Sequence, residues 1–216
     1  MKPLYWNTVT VPLRESLKMF MSEPHFSSFR LVGGTSLSLQ LGHRMSVDLD
    51  LFTDAPYDSI DFDAIDSYLR KHYKYVRLPV QGMVGMGRSY IMGNSQQDSI
   101  KVDFYYTDPF IREAYIVDGI RLATTDEIVA MKLDVVQRLG RKKDFWDLHS
   151  LMDKYSIEDM LMLHEERYPY SHDRDLIKQN FVNFSRADED FDPICLHGKH
   201  WEVIKWEIMQ MLKSAP

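Results

Sequence analysis

The stretch from residue 29 to residue 54 constrains the fold more than any other part of the chain. A short apolar run ends at Gly33-Gly34, and the residues from Thr35 onward suit one short helix. Glycines between a strand and a helix let the backbone approach a ligand closely, and the free N–H groups of the first helical turn favour anions such as phosphate. The stretch predicts a strand, a glycine turn and a helix start. The turn is a candidate phosphate cradle, although a glycine pair alone is also typical of an ordinary tight turn.

Strict alternation over residues 46–52 predicts a strand with Val47 and two leucines on one face and Asp48 and Asp50 on the other. Two carboxylates one strand repeat apart, roughly 6–7 Å along the backbone, can converge on a divalent cation but otherwise repel each other. The pattern indicates a metal site beside a phosphate site, and the alternative is a solvated polar face on an edge strand. Magnesium suits such a site because it is typically shared between one or two carboxylates and substrate phosphates.

The glycine turn, together with the motif that runs from His43 to Phe52 (His-Arg-x-Ser-x-Asp-x-Asp-x-Phe), resembles the signature of a known family. This is the AbiEii/AbiGii toxin-type nucleotidyltransferase family, within the DNA polymerase β-like nucleotidyltransferase superfamily. The resemblance covers about residues 10–210. It implies an α+β fold, with a polymerase β-like nucleotidyltransferase core and mixed sheet over residues 1–121, followed by a helical C-terminal domain over residues 122–216.

A third acidic residue lies on the strand predicted over residues 99–106, where Lys101 and Asp103 share one face. If this strand lies beside the Asp-x-Asp strand, Asp103 joins the same site, but its own surroundings in the sequence fit a surface charge equally well. The resemblance places the third acidic residue of the superfamily here. It implies that Asp48, Asp50 and Asp103 bind metal, and we expect Asp103 also to assist the attacking hydroxyl.

The nucleotide contacts that the resemblance implies lie in and just after the glycine turn. Because the turn reads Gly-Gly-Thr where Gly-Ser is common in the superfamily, a hydroxyl contact to the triphosphate would come from Thr35 or Ser36. The implied nucleotide-binding residues are Gly33, Gly34, Thr35, Ser36, Arg44, Ser46 and Lys132.

Periodicity and turn residues predict most of the remaining elements of the first 121 residues. Short glycine-containing loops between the strands favour an antiparallel meander. Asp118-Gly119, between two apolar runs, predicts a further hairpin. The predicted elements are helices over residues 10–22 and 63–71 and strands over residues 73–80, 87–92 and 99–106.

The first helix of the C-terminal part carries an unusual lysine. Thr124 and Glu127 form a capping box that opens a helix, which we expect to run through Leu139 and to end at Gly140. Lys132 lies within the apolar stripe of this helix. A lysine in that position either extends to solvent along its stem or directs its charge at a buried negative group.

A second helix begins near Lys142, and Asp144 or Asp147 on it can pair with Lys132 as a structural ion pair. The resemblance favours a functional role, because this region is similar to a motif whose lysine and aspartate lie beside the nucleotide. It implies that Lys132 holds triphosphate oxygens as a point charge and that Asp144 orients Lys132 or contacts the substrate.

The densest basic cluster of the chain lies between these two helices. It is either a solvated helix turn or the place where an RNA backbone would lie. The cluster consists of Arg138, Arg141, Lys142 and Lys143.

Composition sets outer limits on the class of protein. The chain is 44% hydrophobic and 27% charged with a net charge of −6, which is ordinary for a globular protein and argues against extensive phosphate contacts. A single cysteine, Cys195, cannot form an internal disulfide, and no run approaches the ~20 apolar residues of a membrane span. The eight histidines show no zinc-ligand spacing. We expect a cytoplasmic protein without a membrane segment.

Taken with the resemblance, these features predict a magnesium-dependent nucleotidyltransferase, with manganese as a possible substitute. It would move a nucleoside monophosphate from a nucleoside triphosphate to an acceptor hydroxyl. The resemblance implies RNA, including tRNA, as acceptor and a cognate antitoxin as partner, as in toxin–antitoxin or abortive-infection systems. The alternatives are transfer to a protein or antibiotic hydroxyl, and a catalytically silent module that binds a nucleotide or a partner. Three mutually repelling carboxylates argue against the silent module.

Overall fold

The computed structural model describes residues 3–78 and 85–213, and within them one mixed sheet carries the fold. Its strands are β1 (Arg30–Leu31), β2 (Asp48–Thr53), β3 (Tyr75–Arg77), β4 (Gly87–Gly93), β5 (Ser99–Tyr106), β6 (Tyr115–Val117) and β7 (Ile120–Leu122). They lie in the order β3-β4-β5-β2-β1-β7-β6. β2 pairs with β5, and β1 with β7, in parallel, whereas the other neighbours are antiparallel. The predicted α+β class with a mixed sheet is confirmed.

Helices pack on both faces of this sheet. They are α1 (Val11–Ser22), α2 (Gly33–Leu41), α3 (Phe62–His72), α4 (Thr125–Gln137), α5 (Lys142–His149), α6 (Ile157–Arg167), α7 (Arg174–Asn180), α8 (Ser185–Asp188) and α9 (Trp201–Lys213). Helix α1 has a proline in its first turn, and Asp61 caps α3 by accepting hydrogen bonds from the N–H groups of Asp63 and Ala64. Both helices agree with the sequence predictions within one residue.

The predicted meander is present as β3, β4 and β5. β3 is shorter than the strand predicted over residues 73–80, and residues 79 and 80 lie outside the described part of the chain. The predicted hairpin joins β6 to β7 through Asp118 and Gly119, which both have positive φ angles of 51° and 77°. Two left-handed residues in succession match the right-handed twist of the paired strands.

Two hydrophobic cores lie on opposite faces of the sheet. One packs α1 and α3 against the strands, with Phe20 and Phe104 fully buried. The other packs α2 against the C-terminal helices and includes Val32, Leu37 and Phe145. Because Val32 and Leu37 share a core with the C-terminal helices, the two parts of the chain are packed together. The domain boundary between residues 121 and 122 stays a prediction.

Three details differ from the sequence predictions. β2 begins at Asp48, so Val47 precedes the strand and is 62% exposed instead of facing the core. α4 ends at Gln137, two residues earlier than predicted, and Leu139, not Gly140, adopts the left-handed conformation, with a φ of 65°. Thr124 caps α4 as predicted by accepting from the N–H of Glu127, but the Glu127 carboxylate does not return the bond.

The Glu127 carboxylate instead forms a buried ion pair with Arg167 of α6, at 2.5 Å between Oε1 and Nη1. Arg167 also donates to the carbonyl of Pro109 and to Thr107 Oγ1 in the segment after β5. The second oxygen of Glu127 accepts from the N–H of Ile111. Both side chains are 0% exposed, so this pair joins α4 and α6 to the end of the sheet with both charges out of water.

We therefore predict that Glu127→Ala lowers the free energy of unfolding by about 3–5 kcal/mol, because it leaves the Arg167 guanidinium buried without its carboxylate. Chemical denaturation at pH 7.5 measures the change. Glu158→Ala, which removes a surface carboxylate paired with Arg174 and Lys178, is the control and should change the free energy of unfolding far less, because surface ion pairs contribute little. Equal losses in the two variants would contradict the assignment of the Glu127 pair as a main tether.

Candidate active site

The parallel pairing of β2 with β5 assembles the acidic face. Asp50 stands opposite Asp103, and Asp48 stands opposite Lys101. The alternating residues of β2, including Leu49, are fully buried in the core beneath the sheet. All three aspartates therefore share the other face, and the predicted adjacency of the two strands is confirmed.

The glycine turn lies directly against this acidic face. Gly33 has a φ of 65°, and a Cβ atom at this position would lie 2.8 Å from Asp50 Oδ2. The N–H of Val32 donates to the Asp50 carbonyl at 2.8 Å, which fixes the turn beside β2. Ser36 N–H donates to the Val32 carbonyl in the first turn of α2, so the amides of residues 33–35 precede the helical hydrogen bonds. Backbone amides and carboxylates thus meet at one place.

The hydroxyl groups that the resemblance assigns to the nucleotide make contacts inside the protein. Thr35 Oγ1 donates to the Asp48 carbonyl at 2.5 Å and lies 2.7 Å from Ser46 Oγ. Ser36 Oγ lies 3.4 Å from the carbonyl of Ala123, just before α4. Thr35, Ser36 and Ser46 are all buried. The hydroxyls of Thr35 and Ser46 thus hold the start of β2 against α2, and their contact with a nucleotide stays a prediction.

Asp147 of α5 connects the basic residues of the site. Its carboxylate accepts from Arg44 Nε at 2.6 Å and from Arg44 Nη2 at 2.8 Å, and His43 Nε2 lies 2.8 Å away. Lys132 Nζ lies 2.8 Å from the same carboxylate. Burial opposes the negative charge, yet Arg44, Lys132 and the hydrogen bond with His43 hold the pKa of Asp147 well below its usual range. Sequence reasoning considered Asp147 only as one possible partner of Lys132.

Arg44 lies beneath the glycine turn. A Cβ atom at Gly34 would clash with the Arg44 guanidinium and lie 3.3 Å from Asp147 Oδ2. Arg44 is 3% exposed, so its charge acts on the turn from inside the protein. This close approach explains why a glycine suits position 34.

Lys132 directs its charge at buried carboxylates and does not extend to solvent. Its Nζ donates to Asp144 Oδ1 at 2.6 Å and also pairs with Asp147. Asp144 accepts from the N–H of Arg141 through its other oxygen, so it caps α5 while it orients Lys132. Of the two roles that the resemblance implies for Asp144, the structure has this orienting contact, and a substrate contact stays a prediction.

The acidic face carries unsatisfied charge. Burial raises the pKa of Asp50 to about 6, with repulsion from Asp103 and Asp48 adding to the shift and attraction to Lys132 and Lys101 opposing it. Asp103 Oδ1 is buried and has no hydrogen-bond partner among residues 3–78 and 85–213. Carboxylate oxygens of this kind are the ligands that magnesium takes.

The described residues contain no group of three His, Cys, Asp or Glu side chains already converged as a metal site. At Asp103, Lys101 Nζ holds Oδ2 at 2.5 Å. The second oxygen of Asp103 and the Asp50 carboxylate beside Gly33 fit a divalent cation in donor type.

The basic cluster between α4 and α5 is largely neutralised by acidic residues. Arg138 pairs with Asp134, Arg141 with Asp190 at 3.2 Å, and Lys142 with Asp192 at 2.8 Å. Lys143 has no carboxylate partner within the described residues. The acidic segment 188–192 thus neutralises two of the four basic residues predicted to meet an RNA backbone, and Asp134 of α4 neutralises a third.

A cavity of about 330 Å³ opens between Asp48 and this acidic segment. Arg44, Lys143 and Phe191 also line it. Phe191 is 99% exposed. The acidic site therefore has a neighbouring space with an uncovered aromatic ring.

Comparison with known proteins identifies the family of this chain. A family model described as the nucleotidyl transferase AbiEii toxin of type IV toxin–antitoxin systems matches residues 17–209. The chain belongs to the AbiEii family. The family resemblance inferred from the glycine turn and the Asp-x-Asp motif is thereby confirmed, and the chain is a nucleotidyltransferase of toxin–antitoxin type.

The chain is also similar to individual proteins from other organisms. An uncharacterised protein of Aquifex aeolicus is 29% identical over 204 residues, which cover 89% of this chain and 90% of the relative. Among solved structures, JHP933 from Helicobacter pylori is 19% identical with a TM-score of 0.59, covering 94% of this chain and 90% of that one. The nucleotidyltransferase toxin MenT4 from Mycobacterium tuberculosis is 15% identical with a TM-score of 0.54, covering 87% of this chain and 76% of that one. At these identities the solved structures support the fold.

In the described part of this AbiEii-family chain, no helix is both long and apolar enough to span a bilayer.

The raised pKa of Asp50 has a measurable consequence for stability. A carboxyl whose folded-state pKa is about 6, above its ordinary 3.8, destabilises the fold when ionised, so the cost is present above pH 6 and disappears as the pH falls toward 4. We predict that Asp50→Asn raises the melting temperature at pH 7.5, without metal, by roughly 5 °C, since two pKa units correspond to about 3 kcal/mol. The gain should vanish near pH 4.

Thermal unfolding of both proteins in a chelating buffer from pH 4 to pH 8 tests this prediction. Asp175→Asn, at an exposed position in the first turn of α7, is the control and should show no such pH-dependent gain. A melting temperature of Asp50→Asn that equals that of the wild type at pH 7.5 would contradict it.

Proposed function

We propose that this AbiEii-family protein transfers a nucleoside monophosphate from a nucleoside triphosphate to a hydroxyl group of RNA, in a magnesium-dependent reaction. One observation carries the proposal: the Asp50 carboxylate, directly opposite Asp103, lies against Gly33 at the start of α2. An anion-binding turn and a set of oxygen ligands for a cation are both needed to hold a metal-bound triphosphate. This site places them in contact.

Each part of the site has a role in the proposed reaction. The amides at the start of α2, around Gly33 and Gly34, bind phosphate oxygens, and the positive end of the helix adds to the attraction. Lys132 and Arg44 lie behind the turn and stabilise the negative charge of the triphosphate from within the protein. Asp147 keeps both cations in place.

Magnesium, or manganese with the same oxygen ligands, would be held by Asp48, Asp50 and Asp103, and would neutralise charge on the phosphate oxygens. The acceptor oxygen attacks the α-phosphorus, and the bond to pyrophosphate breaks. The proton of the acceptor hydroxyl passes to Asp103, whose Oδ1 is buried and otherwise unpartnered. The acids and the turn therefore act on opposite ends of the same phosphate chain.

RNA as acceptor is supported by the cavity beside Asp48. An exposed phenylalanine ring can stack on an RNA base, and the unpaired Lys143 can contact a backbone phosphate. The family assignment to toxin–antitoxin systems favours an RNA target, tRNA included, and a cognate antitoxin as partner. Because most of the basic cluster is neutralised, we expect an acceptor bound by few phosphate contacts.

The first test incubates the pure protein with magnesium, total RNA or protein extract, and each α-labelled nucleoside triphosphate in turn. We expect label on RNA with the wild type and loss of at least about 10³-fold with Asp48→Ala/Asp50→Ala, since both proposed metal ligands are gone. The Asp175→Ala control should keep full activity. Label on protein instead of RNA would show that the acceptor hydroxyl belongs to a protein. Triphosphate binding without transfer to any acceptor would favour a silent binding module.

A second prediction concerns the aromatic ring in the cavity. Phe191→Ala should raise the KM for the RNA acceptor by roughly 5- to 100-fold, since a base–aromatic stack contributes about 1–3 kcal/mol, and should leave the KM for the triphosphate unchanged. Phe191→Trp should retain wild-type kinetics. Tyr170→Ala removes another fully exposed ring and serves as the control. An unchanged acceptor KM in Phe191→Ala would exclude stacking on this ring.

A further inference from the structure

Lys101 is a cation within the acidic face itself. It lies on β5, two residues before Asp103, and its side chain shares the face that carries the aspartates. Its Nζ contacts Asp103 Oδ2 at 2.5 Å, and its backbone position is directly opposite Asp48.

The Lys101 ammonium lies among three aspartates. Its Nζ contacts the Asp103 carboxylate, its strand position is directly opposite Asp48, and Asp50 is directly opposite Asp103. A positive charge at this place attracts all three carboxylates. In this structure the ammonium does part of what a divalent cation does, namely to reduce repulsion among the carboxylates.

Only one oxygen of Asp103 is engaged by this contact. Oδ2 is held by Lys101, while Oδ1 remains buried without a partner. The Lys101 side chain is 42% exposed, whereas that of Asp103 is 15% exposed. A lysine ammonium is a point charge on a flexible stem without a fixed bidentate geometry, so it can leave the carboxylate without backbone movement.

We propose that Lys101 is a positioning residue that holds Asp103 in the metal-free protein and competes with a divalent cation for its carboxylate. The inference rests on the proposed function, because it assumes that the three aspartates take up a metal. The proposed function gives Lys101 no role, because that function uses only the aspartates, the glycine turn and the two buried cations. Lys101 keeps the acidic face folded without metal and lowers the affinity of the site for metal alone.

The test measures magnesium affinity by calorimetry without nucleotide, so that it does not depend on turnover. Lys101→Met removes the competing charge and should bind magnesium roughly tenfold more tightly than the wild type. Its melting temperature in a chelating buffer should be lower, and its gain in melting temperature on adding magnesium should be larger. Lys101→Arg keeps the charge and should bind magnesium as the wild type does.

Lys178→Met is the matched control, because Lys178 is also partly exposed and pairs with one carboxylate, Glu158, away from the site. It should leave magnesium affinity unchanged. Lys101→Gln repeats the measurement with a polar side chain in case the methionine variant does not fold.

Unchanged or weaker magnesium binding by folded Lys101→Met or Lys101→Gln overturns the role of Lys101. If the wild type still labels RNA in the presence of magnesium, the proposed function stands and only this inference fails. If no variant binds magnesium and no acceptor is labelled, both fail.

Discussion

The buried carboxylate of Asp147 is the interaction on which the rest of the site depends. Placing one negative charge inside a protein is costly unless it is paired and hydrogen-bonded. Here His43 and Arg44 approach from the segment before β2, and Lys132 approaches from α4. Because these partners come from both parts of the chain, the carboxylate joins the sheet to the C-terminal helices at the point where the glycine turn and the acids meet.

The site combines two layers of opposite charge. Asp48, Asp50 and Asp103 form an acidic layer on the face of the sheet that meets the start of α2, and Arg44 and Lys132 form a basic layer under the glycine turn. The basic layer is almost completely buried, and both of its cations are paired with Asp147. In the acidic layer, burial and repulsion from Asp103 and Asp48 make Asp50 resist ionisation, and Asp103 Oδ1 has no hydrogen-bond partner among the described residues. Stability and function make opposite demands on these acids, because an acid that is fully compensated has no capacity left for a cation.

Beside the site, basic residues that are close together in the sequence do not form an uncompensated basic surface. Arg138, Arg141 and Lys142 look like an exposed basic cluster, yet each has an acidic partner. Two of those partners come from the acidic segment 188–192, about fifty residues further along the chain. Within the described residues, Lys143 has no acidic partner, and the neighbouring ring of Phe191 is exposed. The region is thus better suited to a few specific contacts than to broad electrostatic binding.

The sequence by itself determined the features that depend on near neighbours. Alternation along β2 and β5 placed the acids on one face, the glycine pair marked the start of α2, and Thr124 and Asp118-Gly119 marked a cap and a hairpin. These features follow from steric preferences and side-chain periodicity over a few residues, which is also why the family motif could be recognised. Where local preferences compete, as at the end of α4, the prediction missed by two residues.

Only the tertiary structure decided which charges meet. His43 and Arg44 are more than a hundred residues from Asp147 along the chain. The strand pattern alone also left open whether the Lys101 side chain contacts Asp103 or extends into solvent. The same applies to the hydroxyl of Thr35, whose partner is the backbone carbonyl of Asp48. A buried polar group must find a partner wherever packing brings one, and that partner is set by how helices and strands from distant parts of the chain pack together, not by local sequence pattern.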